Sequence, residues 1–371
     1  PGCPLRHLSD ARQWTLREAS HRGALVRLGG LPADHPIERL PGAARDGYRA
    51  RAVARPYVDE QGRLRLGLRE LPTYSVAGID LSRCPAQTEG SRALLASLAA
   101  DLDALRIVPF DEETRPHGLR HVVVQVADDG EAQVVLGFGA EPDRAALVAG
   151  VQPAHPHLGL HVEVILPHKH GTLVRPEPLR GPAHLHLTVG PDRLRGTLPA
   201  WLPQTPATVP ALQAAVLDWL APGPGERVIE VGCGVGPLSL ALARQGTPVL
   251  GIDHNRAAVL DAQHNAAQAG LNERATFRVG RAEKALRRLL AGGERADLVV
   301  LHGMRKPYGP AVLAGVRALT PRAILMIGPS AGAVARDVAD AGPAWQVGRL
   351  GLLDQLPGTA WLLTLALLTP R

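Results

Sequence analysis

The sequence predicts an α/β protein: a doubly wound parallel sheet over residues 199–371, preceded by a β-rich α+β region over 41–198 and a leading loop and helix over 1–40. Three observations carry that prediction. Beyond a proline-rich passage, "LPAWLPQTPATVP", strand-like and helix-like runs alternate. The first of those strands runs into a glycine turn that opens a helix. Upstream of the passage, short alternating runs dominate instead. A chain of 371 residues with 45% hydrophobic content has room for two or three domains. No apolar run reaches membrane-spanning length and no signal peptide is visible, so the cytoplasm is the expected compartment.

Taken in order, "SDARQWTLREASHRGALVRL" from Ser9 to Leu28 has an N-cap serine and apolar residues at helical spacing, and it stops at Gly29-Gly30. "YRARAVARPYV" and "GRLRLGLREL" alternate as strands exposing arginine on one face. "SRALLASLAADLDAL" is helical again. "RHVVVQVA", "EAQVVLGFG", "GLHVEVILP" and "AHLHLTVG" follow as strands. The C-terminal part then runs helix "ALQAAVLDWL", strand "RVIEVG", helix "LSLALARQ", strand "PVLGID", helix "RAAVLDAQHNAAQAG" and strands "ATFRVG", "ADLVVLHG" and "AILMIG".

In "VIEVGCGVGPLSLALA", Glu230 ends a strand, and Gly232, Gly234 and Gly236 form the turn before a helix. Side chains there would block a ligand from the backbone and from the first helical turn. Asp253, followed by His254, ends the next strand, where a carboxylate can accept both hydroxyls of a ribose. The order of strand, Glu, Gly-x-Gly-x-Gly, helix, strand, Asp resembles the Rossmann-like fold of class I S-adenosylmethionine-dependent methyltransferases more than a nicotinamide site. Cys233, inside the turn, reads as a packed rather than a reactive thiol.

Several further elements together resemble the RNA (uracil-5-)-methyltransferases, which make 5-methyluridine in transfer and ribosomal RNA. They are Cys233 to Gly236, "WLPQTP" with Gln204, "NAAQAGL" from Asn265, "VARD" ending at Asp337, "YRAR" from Tyr48 and "GLRH" from Gly118. The resemblance implies S-adenosylmethionine held by Gln204, Glu230, the three glycines, Asp253 and His254. Glu283 is the nearest acid to the adenine-recognition position, which Arg281 occupies. Arg49, Arg51, Arg120 and Arg305 fall in family elements that face RNA, and Arg55 continues the first group. RNA, ribosomal or transfer, rather than DNA is thus the expected partner. The family's iron-sulfur members use four cysteines. "GCPLRH" and "DLSRCP" place Cys3 and Cys84 at two of those positions, and the other two would lie upstream of Pro1.

The family's chemistry adds a cysteine thiolate to carbon 6 of uracil, so that carbon 5 takes the methyl group, and a base then removes the carbon 5 proton. In "AILMIGPSAGAVARD" the cysteine position is Pro329. In "LPGTAWLL" the family's histidine and glutamate positions are Trp361 and Leu363. The Asp-Pro-Pro-Arg element reads "HGMR", with His302 in place of the aspartate. The expectation is therefore a pseudoenzyme: an RNA-binding and cofactor-binding protein without the covalent route. Two alternatives stand beside it, an active methyltransferase directed at another atom and a protein-interaction scaffold.

The remaining signals are weaker. A net charge of +6 suits a polyanion, yet only Lys169, Lys284 and Lys306 are lysines, the bias of GC-rich coding. Three scattered cysteines argue against a disulfide framework. Seven histidines between His155 and His186 include pairs two apart on strands, which could chelate a metal, but spacing fixes no third ligand.

Overall fold

The computed structural model describes residues 3–69, 78–111, 113–151, 157–165, 176–198, 200, 202–303 and 305–371. His155, His168 and His170 of the histidine-rich stretch lie outside the described residues, as do Trp201 and Met304.

Helix α1 (Asp10–Gly29) starts at Ser9, whose side chain accepts the Arg12 N–H, and ends at left-handed Gly30. Periodicity predicts the helix but not its inward face. Gln13, Arg17, His21 and Leu25 are buried, whereas Leu16 and Leu28 are exposed. The groove it fills is polar: Gln13 donates to Leu8 O and accepts the Gly358 N–H, and Arg17 pairs with Asp354 at 2.6 Å. Strand β1 (Glu38–Leu40) follows.

The central region holds β2 (Arg51–Val58), β3 (Leu64–Arg69), β4 (Gly78–Asp80), α2 (Glu89–Ala104), β5 (Leu119–Val126), β6 (Ala132–Phe138), α3 (Arg144–Gly150), β7 (Leu158–Val164) and β8 (Glu177–Arg180). The strands form one sheet in the order β4-β3-β2-β5-β6-β7-β8, antiparallel except for β6 with β7. Alternate residues point to opposite faces. One face buries Ala52, Val122, Val124 and Leu136 against Leu94, Leu98 and Leu147. The other carries Arg51, Gln125, Gln133 and His161, and there the His121 ring crosses Gly137 to reach Glu163 at 2.7 Å.

A hairpin, β9 (His184–Val189) with β10 (Asp192–Thr197), leads to the C-terminal layer. That layer contains α4 (Val209–Leu220), β11 (Val228–Val231), α5 (Pro237–Arg244), β12 (Val249–Asp253), α6 (Arg256–Gln268), β13 (Ala275–Val279) and α7 (Ala282–Ala291). It continues with β14 (Leu298–His302), α8 (Pro310–Ala318), β15 (Ala323–Gly328), α9 (Ala331–Ala341), β16 (Trp345–Leu353) and β17 (Leu363–Pro370). Leu298, Val300 and Leu325 enter the core on one face of the sheet, and Val299, Leu301 and Met326 enter the core on the other. Burial on both faces is what makes these strands read as continuous apolar runs.

The sheet order, β13-β12-β11-β14-β15-β17-β16-β1, differs from the all-parallel sheet read from sequence. β17 runs antiparallel between β15 and β16, so its first residues stand at the carboxyl end of β15. Within residues 3–40, α1 and β1 belong to this layer. β1 pairs with β16, and α1 packs along α9, where a side chain at Gly29 would meet the Ala335 carbonyl. The β9–β10 hairpin also belongs with this layer: buried Asp261 of α6 accepts Arg195 Nε at 2.7 Å and Thr197 N at 2.5 Å.

Candidate functional site

At the carboxyl ends of β11 and β12 the three glycines adopt φ values of 87°, 54° and 94°, all in the left-handed region. Gly232 needs its missing side chain twice over, because a Cβ there would stand 2.2 Å from the His302 carbonyl oxygen. Asp253 fastens the turn, its Oδ2 accepting Gly234 N at 3.0 Å and its Oδ1 accepting Asn255 N at 2.8 Å. Each oxygen keeps a further lone pair for a ribose hydroxyl. Asn265 donates to Val235 O and to Arg195 O, which ties the turn to β10.

Glu230 is fully buried beneath this turn. Its Oε2 accepts the Ser239 hydroxyl at 2.5 Å, and its Oε1 has no hydrogen-bond partner, His302 Nδ1 standing off at 3.8 Å. A buried carboxylate oxygen without a donor is costly. These open acceptors therefore fit a ligand that brings a cationic nitrogen and a ribose. The other expected cofactor residues are less engaged. His254 is largely exposed beside Asp253, and Glu283 pairs with Arg287 one turn along its own helix. Gln204 lies at the seam with the central region, its carbonyl accepting Ala50 N at 2.8 Å.

Strand register brings the three altered elements to one place. Gly328 pairs with Thr364, so Pro329 lies beside Leu363 at the start of β17, two residues after Trp361. His302 pairs with Ile327, and Gly303 N donates to Ile327 O, which sets the end of β14 against the same spot. Ser330 is occupied as the N-cap of α9 and accepts the Ala333 N–H. Leu363 is buried opposite Leu353. His302 is largely buried, and its carbonyl and that of Val231 share the Tyr308 hydroxyl at 3.1 and 3.0 Å.

Tyr308 was not found from sequence, although Tyr-Gly-Pro ahead of a helix is a turn signal. Its backbone N–H and that of Gly309 both donate to Asp337 at 3.0 Å, which gives the "VARD" element a structural duty.

The sequence has three cysteines, and none is near position 329 in the chain. Cys233 is buried under the glycine turn against Gly251, and burial, reinforced by the charges of Glu230 and Asp253, pushes its thiol well up. Cys3 and Cys84 line a separate cavity of about 770 Å³ with Arg6, Arg63, Arg65 and Asp80. A four-iron cluster wants four thiolates, and among the described residues no three His, Cys, Asp or Glu side chains form a metal-holding group. The two cysteines line one cavity, but this ligand set does not fit the iron-sulfur cluster expected from sequence. Among the described histidines of the 155–186 stretch, read separately as possible metal ligands, His186 meets Glu131 at 3.0 Å.

Of the expected RNA-facing arginines, Arg51 opens β2 and Arg49 lies two residues before it, bridged to Gln87. Burial, with Arg49 adding to it, lowers the Arg51 pKa. Arg120 stacks on Phe110 at 3.8 Å and its backbone carbonyl accepts Arg55. Arg49 Nε and Arg120 Nε are buried without a hydrogen-bond partner. Arg305 stands away from that group, 5.2 Å from the Trp361 ring centroid.

Residues 222–335 match the family described as "Methyltransferase domain". An uncharacterized RNA methyltransferase of Halalkalibacterium halodurans is 27% identical over 342 residues, 91% of this chain and 74% of its own. The 23S rRNA (uracil(1939)-C(5))-methyltransferase RlmD of Klebsiella pneumoniae is 28% identical, covering 100% of this chain and 79% of its own. The fold is shared with the tRNA (uracil-54, C5)-methyltransferase of Pyrococcus abyssi, solved with S-adenosyl-L-homocysteine: TM-score 0.77 at 19% identity, spanning 99% of this chain and 85% of that one.

Proposed function

We propose that this chain, similar over nearly its whole length to RNA methyltransferases, is of the RNA (uracil-5-)-methyltransferase family and binds S-adenosylmethionine and RNA on that scaffold but no longer forms 5-methyluridine. The observation that carries this reading is the convergence of Pro329, Leu363 and His302 at the carboxyl ends of β14 and β15. Carbon 5 of uracil becomes nucleophilic only after a thiolate has added to carbon 6. Proline has no reactive atom to add, and Ser330 spends its oxygen on a helix cap. Leucine cannot take the carbon 5 proton. Acid-base assistance alone ordinarily supplies roughly 100- to 10,000-fold in rate, so the loss of nucleophile and base together closes the route.

The cofactor, when bound, supplies an electrophilic methyl group. On this chain Glu230 Oε1 would hold its ammonium and Asp253 its ribose, while the glycine turn admits its bulk. RNA binding is supported by Arg49, Arg51 and Arg120, which form no ion pair with a carboxylate among the described residues and leave two buried Nε donors open. An anion between Arg49 and Arg51 would relieve their mutual repulsion.

The test combines calorimetric titration of the cofactor with tritium release from RNA labelled at carbon 5 of uridine. Cofactor binding without tritium release is expected. Efficient release would overturn the reading, and methyl transfer to another base would establish an active enzyme with a different target atom.

A further inference from the structure

One polar pair beneath the glycine turn is left unfinished. Glu230 is 0% exposed, and Ser239 satisfies only its Oε2, so its Oε1 has no donor. His302 stands one strand over on the same face of the sheet, because Glu230 pairs with Val300 and His302 lies two residues beyond it. Its Nδ1 is 3.8 Å from Glu230 Oε1, too long for a hydrogen bond and near enough for one charge to act on another. The backbone beneath the ring is fixed. Tyr308 OH donates to the His302 carbonyl, and His302 pairs with Ile327. The ring itself is 22% exposed, so it can exchange a proton with solvent.

The other ionisable groups around this pair are committed elsewhere. β15 and the residue after it bring Ile327, Gly328 and Pro329 to this level, and none of the three titrates. Tyr308 and Cys233 stay neutral, since burial raises both. Asp253 accepts Gly234 N and Asn255 N, and Asp337 accepts Tyr308 N and Gly309 N. Arg305 and Lys306, on the loop that follows β14, are exposed.

We propose that His302 is a positioning residue that balances the charge of Glu230 in the free protein and yields it to the cofactor, so that capture of the cofactor's ammonium releases one proton. This rests on the cofactor-binding reading above. A buried carboxylate oxygen without a donor is costly, and an imidazolium beside it offsets that cost. The ammonium of S-adenosylmethionine brings the same charge to the same oxygen. Two cations cannot share it cheaply, because like charges a few ångströms apart repel strongly where water is excluded. The proton, which belongs to the histidine and carboxylate as a pair, leaves for solvent as the ammonium enters. Charge is conserved at the site, one cation replacing another. An aspartate at 302 would attract the ammonium instead, so the histidine is what ties capture to pH in the range where imidazoles change charge.

The experiment titrates the full chain with S-adenosylmethionine by calorimetry from about pH 5.5 to about pH 7.5, the range in which histidines titrate. Below the titration of the pair the proton competes with the ligand, and above it the site is open. Parent affinity is therefore expected to rise about 10-fold across the range, the limit being tenfold per pH unit for one proton. His302→Asn keeps a side chain of similar reach that cannot be charged, and its affinity is expected to change by less than about 2-fold. The cofactor's own titration is common to both proteins and cancels in the ratio. At about pH 6, two buffers of different ionisation enthalpy are expected to report proton release on binding to the parent and less release on binding to His302→Asn. If both proteins bind with the same pH dependence and the same proton release, the role of His302 is refuted while the cofactor-binding reading stands. If neither binds at any pH, the cofactor-binding reading itself falls. Equal melting temperatures of the two unliganded proteins are the control for folding.

Discussion

Two glycines of one motif, Gly232 and Gly234, are expected to respond differently to the same substitution. Both have positive φ, so alanine at either costs about 1–2 kcal/mol for the left-handed backbone. A Cβ at Gly234 meets nothing within 4 Å, and the cost ends there. A Cβ at Gly232 stands 2.2 Å from the His302 carbonyl oxygen and 3.1 Å from the Tyr308 hydroxyl. The backbone ends of β11 and β14 must separate, and overpacking of this kind adds about 1–3 kcal/mol. Gly232→Ala is therefore expected to be less stable than Gly234→Ala by about 1–3 kcal/mol, with the melting transition of the C-terminal layer lower by about 2–4 °C per kcal/mol. Because the separation disturbs the orphan Glu230 and the turn above it, cofactor affinity falls further in Gly232→Ala as well. Differential scanning calorimetry with a cofactor titration of both variants measures this. Equal melting temperatures and equal affinities would refute the assignment of the His302 carbonyl as the limiting contact.

Three other outcomes follow from the same geometry. Pro329→Cys alone is expected to give no tritium release above the parent, because Leu363 still supplies no base, and release from Pro329→Cys with Leu363→Glu would have to survive a carboxylate buried opposite Leu353. Under native conditions iodoacetamide is expected to modify Cys3 and Cys84 well before Cys233, whose raised pKa keeps it a thiol through pH 8; mass mapping of the labelled peptides reads the order, and early labelling of Cys233 would contradict its burial. Glu226 hydrogen-bonds Arg322 and its carboxyl is lowered to about 2. A depressed acid stabilises fully above its unfolded pKa, near 4.5, and loses that contribution as pH falls towards 2. Glu226→Gln should flatten the dependence of melting temperature on pH in that window.

The strands of the C-terminal layer are legible because burial on both faces leaves nearly uninterrupted apolar runs, and the glycine turn is legible because its φ values exclude other residues. Pro329 and Leu363 are legible for the same local reason, since neither side chain carries a sulfur or a carboxylate. The inward face of α1 is not, because its buried Gln13 bonds to Leu8 and Gly358, Arg17 to Asp354 and His21 to the Arg17 carbonyl, and Asp354 and Gly358 lie far away in the chain. Tyr308 was missed because its role is to bridge two carbonyls that only the sheet brings together.

By itself the sequence determined the α/β class, the position of the cofactor turn and the absence of a sulfur or a carboxylate at two particular positions. These are properties of single residues or of short periodic runs, which fix local backbone geometry and local chemistry. The tertiary structure decided that β17 runs against its neighbours, that β1 completes the same sheet, and that the Arg305 guanidinium lies over the Trp361 ring. Such facts depend on pairing between segments tens to hundreds of residues apart, and no local pattern encodes the register of strands that meet only when the chain has folded.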